Sequence, residues 1–361
     1  MQTYDCAVLG LGAMGRTHVA AYRESPWVRK IYGYEPDPER AAQLGRDLKL
    51  DDTTSDLDAL LANPEIKLIS IASINTAHAE QVERALEAGK AVICEKPMGE
   101  TLADARRMVD AQERTGGFLQ IGFELHYSEL YRRTKQWIDA GLIGQVVNSH
   151  CRYYSSEFHK KNSWRSLSSG TLIGEKLSHY LDLQRWWTGS PVTDVYAMSA
   201  PNAVAYFNHP DNHQINMHFA NDAIAQLNFV MHLGETDIGD PLQDYVAKQE
   251  DDGHALQYHI FGTEGAIETD VFRRRLRRWR FSDGAEQLVS EIVETVTYEQ
   301  SEDAAWMHNT HGQNVHLAEV IGKGLPPELP VQDSFETMLC GFAAEQSGRE
   351  RRLVAIDDIR P

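Results

Sequence analysis

Three groups of residues have types and spacings suited to chemistry. The triplet Glu95-Lys96-Pro97 ends an apolar run, Ala91-Val-Ile-Cys94, and is followed by Gly99. A lysine at the carboxyl end of a buried strand stands at the edge of a parallel sheet, where open α/β sheets bind their ligands. The competing role for Lys96 is a salt-bridged surface lysine. Glu175, His179 and Asp182 recur at i, i+4 and i+7, so one face of a helix beginning near Leu172 carries two acids and a histidine. Histidine titrates nearest neutral pH and suits a general base; on such a helix it is also commonly a satisfied core residue.

The third group is Gly10, Gly12 and Gly15, which space out a Gly-x-Gly-x-x-Gly turn. The first glycine permits the tight turn, the second lets backbone approach a pyrophosphate, and the third lets helix pack on strand. An apolar run from Cys6 precedes the turn. A helical stretch follows from Ala13 and Met14 to about Arg23, its amino terminus facing the phosphates. A second strand, Ile31 to Tyr34, ends at Glu35, 20 residues beyond Gly15. That context predicts dinucleotide binding, with Glu35 accepting from a ribose hydroxyl. Asp37 adds negative charge that repels a 2′-phosphate, which favours NAD over NADP. Arg16 and Arg40 are near enough in sequence to serve a phosphate, and Glu35 can instead cap the helix near Pro38. The loop from Ser73 through Asn75 to His78 leaves the same carboxyl edge as Gly10 and as Glu95 and Lys96. Asn75 there suits either a nicotinamide ribose or a helix cap.

The elements that must position these groups alternate. Helices are expected at about 39–48, 57–62, 77–88 and 102–114, and strands at 68–71, 91–94 and 118–122, which argues a doubly wound parallel sheet. From about Glu124 the pattern changes to a helix (130–140) and then strands rich in alternating residues, such as 146–154, 214–219, 223–232 and 256–262, which suggests an α+β domain with an antiparallel sheet. We therefore expect an α/β chain with a Rossmann domain over residues 1–123 and a second, substrate-binding domain over 124–361. Residues 158–165, between a strand and the His179 helix, offer Trp164 for stacking and Arg165 or Asn162 for hydrogen bonds to hydroxyls; a solvent-exposed loop is the equal alternative. The interval 234–253 is acidic and reads as a loop.

The 361 residues suit two domains, and 35 basic against 53 acidic residues give a charge of −18. Nucleic acid and anionic membrane would be repelled. Six arginines between Arg273 and Arg280 read as a solvated strand or a subunit contact. Four dispersed cysteines (Cys6, Cys94, Cys151, Cys340) form no Cys-x-x-Cys pair, which fits reduced thiols in cytoplasm. No apolar run approaches the length of a membrane span, and the amino terminus lacks a signal-peptide pattern. His308, His311 and His316 are loosely spaced with no companion ligand signature, so no metal site is expected.

Taken together, Gly10, Gly12, Gly15 and His18, Asn75 and His78, Glu95-Lys96-Pro97, and the stretch from Gly170 to Asp182 resemble the glucose-fructose oxidoreductase/inositol dehydrogenase/rhizopine-catabolism (Gfo/Idh/MocA) family. The resemblance spans nearly the whole chain. It implies NAD(P)-dependent hydride transfer at a hydroxyl of a sugar, sugar derivative or inositol, and an open, mostly antiparallel second sheet used in oligomer contacts, as a homodimer or homotetramer. It also implies that Lys96 and His179 flank the reacting carbinol, with an acid four residues before the histidine. His179 would then be the base, and Lys96 would stabilise the developing alkoxide.

Here that acid is Glu175, where the family usually has aspartate, and Lys176 follows it. The longer side chain can orient His179 differently or reach substrate directly, and Lys176 can join the site or merely pair with Glu175. Relatives often carry arginine where this chain has His126, which weakens the case for an anionic substrate. Two rival functions stand beside the dehydrogenase: non-redox glycoside cleavage through transient oxidation by NAD, and a sugar-sensing NAD-binding regulator without turnover.

Overall fold

The structure is a computed structural model that describes residues 3–156, 171–233 and 254–361. Trp164, Arg165 and the interval 234–253 lie outside the described residues. The chain divides into two compact units, Met1–Glu124 with Asn309–Met338, and Leu125–His308 with Leu339–Pro361.

The first unit is a six-stranded parallel sheet in the order β3-β2-β1-β4-β5-β6. Its strands are β1 (Tyr4–Leu9), β2 (Val28–Tyr34), β3 (Asp52–Thr54), β4 (Ile66–Ile71), β5 (Ala91–Glu95) and β6 (Leu119–Gly122). Strand β1 is buried along its whole length, as a strand covered by helices on both faces must be. The crossovers are α1 (Ala13–Glu24), α2 (Pro38–Leu48), α3 (Leu57–Ala62), α4 (His78–Glu87) and α5 (Leu102–Thr115). Asp37 accepts from the backbone of Glu39 and Arg40, so the acid expected to repel a 2′-phosphate also starts α2. Short β3 was not expected, since only Asp52, Thr53 and Thr54 pair, at the sheet edge.

The sequence places everything after residue 123 in one domain, whereas residues 309–338 return to the first unit. The reason is that side chains of the first 67 residues hold the backbone of Thr310–Gly322 (α8). The Tyr4 hydroxyl donates to the Ala318 carbonyl at 2.7 Å, the Lys67 amine donates to the Ile321 carbonyl at 3.1 Å, and a Cβ at Gly322 would strike the Trp27 ring at 2.2 Å.

Among the described residues the second unit is built on a nine-stranded sheet, order β14-β13-β12-β11-β7-β10-β9-β8-β15, in which only β7 and β10 pair in parallel; it includes β8 (Val192–Ser199), β12 (Gly265–Asp270) and β15 (Val354–Ala355), and helix α6 (Glu129–Asp139) precedes it. Its long central strand β7 (Val146–Ser156) is flanked by β10 (Ile224–Leu233) and β11 (Ala255–Gly262). The arginine-rich stretch forms strand β13 (Arg275–Asp283), paired with β14 (Leu288–Thr297), and its cations are spent internally. Arg275 and Arg277 converge on Glu268 at 2.8 and 2.9 Å, Arg278 meets Glu294 at 3.3 Å, and Arg274 meets Asp303 at 2.9 Å. Burial pushes the Glu268 carboxyl up, but hydrogen bonds from His259, Arg277 and Arg275 outweigh it and hold the group at about 2.

Among the described residues no helix is long and apolar enough to cross a membrane, and all four cysteines are buried thiols. His311 pairs with Glu24 at 3.2 Å and His316 with Glu328 at 2.8 Å.

His213, on β9 (Asn212–Phe219), donates from Nε2 to the Pro210 carbonyl at 2.9 Å and accepts at Nδ1 from Ser199 at 3.0 Å. Burial pushes its imidazole down to about 4. The unfolded chain takes a proton at ~6.5 that the folded ring refuses, so the site's stability is complete above that pH and is lost as pH falls toward 4. Urea unfolding of H213Q at pH 4.5 and 7.5 should show the acid loss reduced by on the order of 2 kcal/mol. An acid limb as steep as the native one would place the sensitivity elsewhere.

Candidate active site

Strand register brings the predicted residues of the first unit to one edge. Leu9 pairs with Ile71, and Ile71 pairs with Cys94, so β1, β4 and β5 end level. The loops that follow begin at Gly10, Ala72 and Lys96. Neighbouring β1 and β4 send their crossovers to opposite sides, to β2 and to β5, which makes this the topological switch point of the sheet.

The glycine turn is built for close approach. Gly10 has φ +84°, and a Cβ there would lie 2.6 Å from Ser73 Cα; a Cβ at Gly15 would lie 2.0 Å from the Gly10 carbonyl oxygen. Both positions need glycine for the protein's own packing. Gly12 differs, because a Cβ there would meet nothing within 4 Å. Gly12 is also the N-cap of α1, with no side-chain cap and no acid in the first turn, so the amides around Ala13 and Met14 keep their anion-binding capacity. These residues fit a pyrophosphate. Glu35, at the end of β2, accepts from Leu11 N at 3.2 Å and pairs with Arg40 at 3.1 Å. It does not cap α2, and its carboxylate is held against the glycine turn.

The Ser73 loop is tied to the Lys96 loop by His78. This ring is wholly buried, with Nδ1 3.0 Å from the Pro97 carbonyl and Nε2 3.3 Å from the Ser73 carbonyl. Burial pushes its pKa down, and a neutral ring has one N–H, which the shorter contact assigns to Pro97. His78 therefore lies beneath the loops, as their support. Ser73 donates its hydroxyl to Gln81 at 2.6 Å. Asn75 is buried in a short turn, Asn75–Ala77, that leads into α4, whose N-cap position is Ala77. Lys96 is half-buried and joined to Pro97 by a cis peptide bond. Glu95 is turned into the core, 2.9 Å from His18 Nε2.

In the second unit the helix of His179 departs from the expected spacing. Residues Ile173–Leu177 form a π-helical turn, and α7 (Ser178–Thr188) continues it as an α-helix. The i→i+5 bond of the turn, from Ser178 N to the Ile173 carbonyl, accommodates an extra residue. The turn changes the helical period just where Glu175 and Lys176 precede His179. Glu175, His179 and Asp182 are all buried. The helix is anchored to the sheet by the Gln184 amide, which donates to the Gln226 carbonyl at 3.0 Å, and by Tyr258, whose hydroxyl donates to the Tyr180 carbonyl at 3.1 Å.

Asp182 meets His126 Nε2 at 2.5 Å, and the His126 ring stacks on Trp186 at 4.1 Å. The position where relatives often carry arginine is thereby occupied by an internal pair. A neighbour that spacing did not suggest is His308, whose ring lies edge-on to His179 at 6.1 Å. Lys96 belongs to the first unit and His179, Glu175 and Lys176 to the second.

Comparison with known proteins agrees with this organisation. Residues 4–123 match a family described as oxidoreductase family, NAD-binding Rossmann fold, and residues 131–268 match the GFO/IDH/MocA C-terminal domain. The levoglucosan dehydrogenase of Pseudarthrobacter phenanthrenivorans is 31% identical over 219 residues, which cover 56% of this chain and 54% of that protein. An inositol 2-dehydrogenase of Pseudomonas fluorescens is 32% identical over 209 residues, 56% of this chain and 61% of that protein. The chain thus matches little more than half the length of these two relatives. The scyllo-inositol 2-dehydrogenase (NAD(+)) of Bacillus subtilis is 25% identical over 357 residues, 98% of this chain and 96% of that one. A solved levoglucosan dehydrogenase, in complex with NADH and levoglucosan, shares the fold with a TM-score of 0.80 at 23% identity over 98% of this chain and 100% of its own. With both of its domains matched in order, and the glycine turn and Glu35 arranged for a dinucleotide, this chain belongs to the Gfo/Idh/MocA family of NAD-binding oxidoreductases.

Proposed function

We propose that the protein is an NAD-dependent dehydrogenase acting on a hydroxyl of a sugar, sugar derivative or inositol. The observation that carries this is the level ending of β1, β4 and β5, which sets the open glycine cradle, the Ser73 loop and Lys96 on one sheet edge. The names of the relatives supply the substrate class.

In this reading Gly10, Gly12, Ala13, Met14 and Gly15 receive the pyrophosphate, and Glu35 accepts from the adenosine ribose. The Arg40 contact neutralises Glu35 in part, but a 2′-phosphate would still face a carboxylate already committed to Leu11, so NAD is preferred to NADP. Asn75 and Ser73 border the nicotinamide side, with His78 shaping their loop. NAD, held there, would supply the hydride acceptor. His179 takes the hydroxyl proton, Lys96 donates to the oxygen as negative charge develops, and Glu175 tunes His179. Lys176 contacts the sugar, and Asp182 holds His126 and so braces the helix. We further propose a cytoplasmic homodimer or homotetramer. Leu288 and Ile292, 61% and 51% exposed on edge strand β14, are suited to subunit contact.

NADH formation across a panel of sugars, glycosides and inositols tests the activity; a panel that yields none, with NAD bound, returns the regulator as the better reading. H179N should lose about 10²- to 10⁴-fold in turnover, and native turnover would remove His179 from the chemistry. K96A should bind NADH and fail to transfer hydride, an assignment that an active variant contradicts. E35A should weaken NAD by about tenfold or more, the worth of a hydrogen bond to a charged group, and narrow the preference over NADP. Equal NAD affinity in E35A would show that Glu35 does not touch the ribose.

A further inference from the structure

A chain of buried polar groups runs behind Lys96. His18 on α1 is wholly buried, with Nδ1 2.7 Å from Ser70 Oγ on β4 and Nε2 2.9 Å from Glu95 Oε1 at the end of β5. Tyr22 Oη lies 2.9 Å from Ser70 Oγ and 2.7 Å from Asn314 Oδ1, and Asn314 Nδ2 lies 2.9 Å from the Thr310 carbonyl.

Hydrogen bookkeeping along this chain has one solution. The Thr310 carbonyl only accepts, so the Asn314 amide nitrogen must face it and Oδ1 must face Tyr22. Tyr22 has a single hydrogen, which burial retains by pushing the phenol pKa up, and that hydrogen goes to Asn314. Ser70 must then donate to Tyr22, since two bare oxygens would otherwise face each other. The serine oxygen is left to accept, so His18 carries Nδ1–H. The 2.9 Å contact from Nε2 to Glu95 needs one more hydrogen, on the ring or on the carboxyl. In either form the His18–Glu95 pair holds one shared proton and is neutral.

We propose that His18 is a positioning residue for Lys96: by holding Glu95 in a neutral, core-facing pair, it keeps the carboxylate next in sequence from drawing the ammonium off its working position. Gly122 lies beside the same carboxylate, where a Cβ would come within 3.3 Å of Glu95 Oε1. The groups around the pair are Tyr22 on α1, Cys94 beside Glu95, Lys96 after it and His78, whose ring senses both Glu95 and Lys96. The inference deepens the dehydrogenase reading and rests on it for the role of Lys96, while the proton arrangement stands without it.

Two conservative variants separate the parts. Asparagine at position 18 can imitate Nδ1 and donate to Ser70 but not to Glu95; glutamine can imitate Nε2 and donate to Glu95. H18N should keep NADH affinity and lose about ten- to hundredfold in turnover, the range for losing a charge-assisted hydrogen bond, and H18Q should recover part of it. Equal losses in the two variants, or none, would overturn the proposal. A second measurement needs no substrate: acetylation of Lys96 by acetic anhydride, mapped by mass spectrometry in the intact protein. Release of Glu95 in H18N should slow it about threefold, the worth of a partly solvated ion pair. Unchanged reactivity would sink the idea even if turnover fell. In the native protein, ¹⁵N NMR assigned by loss of the signal in H18Q should show a protonated Nδ1; a bare Nδ1 would contradict the hydrogen assignment whether or not any polyol is oxidised.

Discussion

The structure of the first unit depends on parallel strands that end level. Parallel pairing fixes where each strand stops relative to its neighbours, because slanted backbone hydrogen bonds leave no freedom to slide without turning every side chain to the other face. With Leu9, Ile71 and Cys94 in one row, three unrelated loops emerge at a common edge. That edge is also where crossovers diverge, so backbone amides and the amino end of α1 are presented at one crevice of the sheet. The constraint is geometric before it is chemical, and it explains how residues far apart in sequence come to lie at one edge.

Beneath this edge, polar groups are buried at a density that hydrophobic packing alone would not tolerate. An unsatisfied buried group costs about 1–3 kcal/mol, so such groups persist where each finds a partner of the right polarity. His18, Ser70, Tyr22 and Asn314 satisfy one another in series, and His78 satisfies the Pro97 carbonyl. The glutamate of the Glu95-Lys96-Pro97 triplet is therefore an internal residue. Its carboxylate is turned inward to His18, while the residue after it is the half-buried lysine.

In the second unit the helix of His179 is seated by a different device. A π turn places an extra residue ahead of α7, and the helix then locks onto the sheet through Gln184 and Tyr258. Asp182 is spent on His126, which in turn stacks on Trp186. The basic strand β13 shows the same economy, with arginine charge neutralised by acids from adjacent strands and leaving no broad cationic surface for a polyanion.

Much of this could be read from local pattern. The glycine spacing, the alternation of strand and helix, and the apolar run before Glu95 are short-range signals, and each depends on backbone conformation or burial that residue type alone dictates. Glu35 was recognisable as well, because its distance from the glycine turn is set by one helix and one strand. What spacing could not supply were contacts across the fold. The pairing of His18 with Glu95 joins residues 77 apart, that of His126 with Asp182 joins residues 56 apart, and the return of 309–338 to the first unit rests on Tyr4 and Ala318, 314 apart. The π turn was hidden too, since a sequence read at 3.6 residues per turn cannot show where the hydrogen-bond period changes. Sequence by itself determined most of the long strands and helices and their alternation, because propensity and hydrophobic period are local. Only the tertiary structure decided which polar groups meet, since the energy of a buried pair depends on partners that the chain brings together after its strands have aligned.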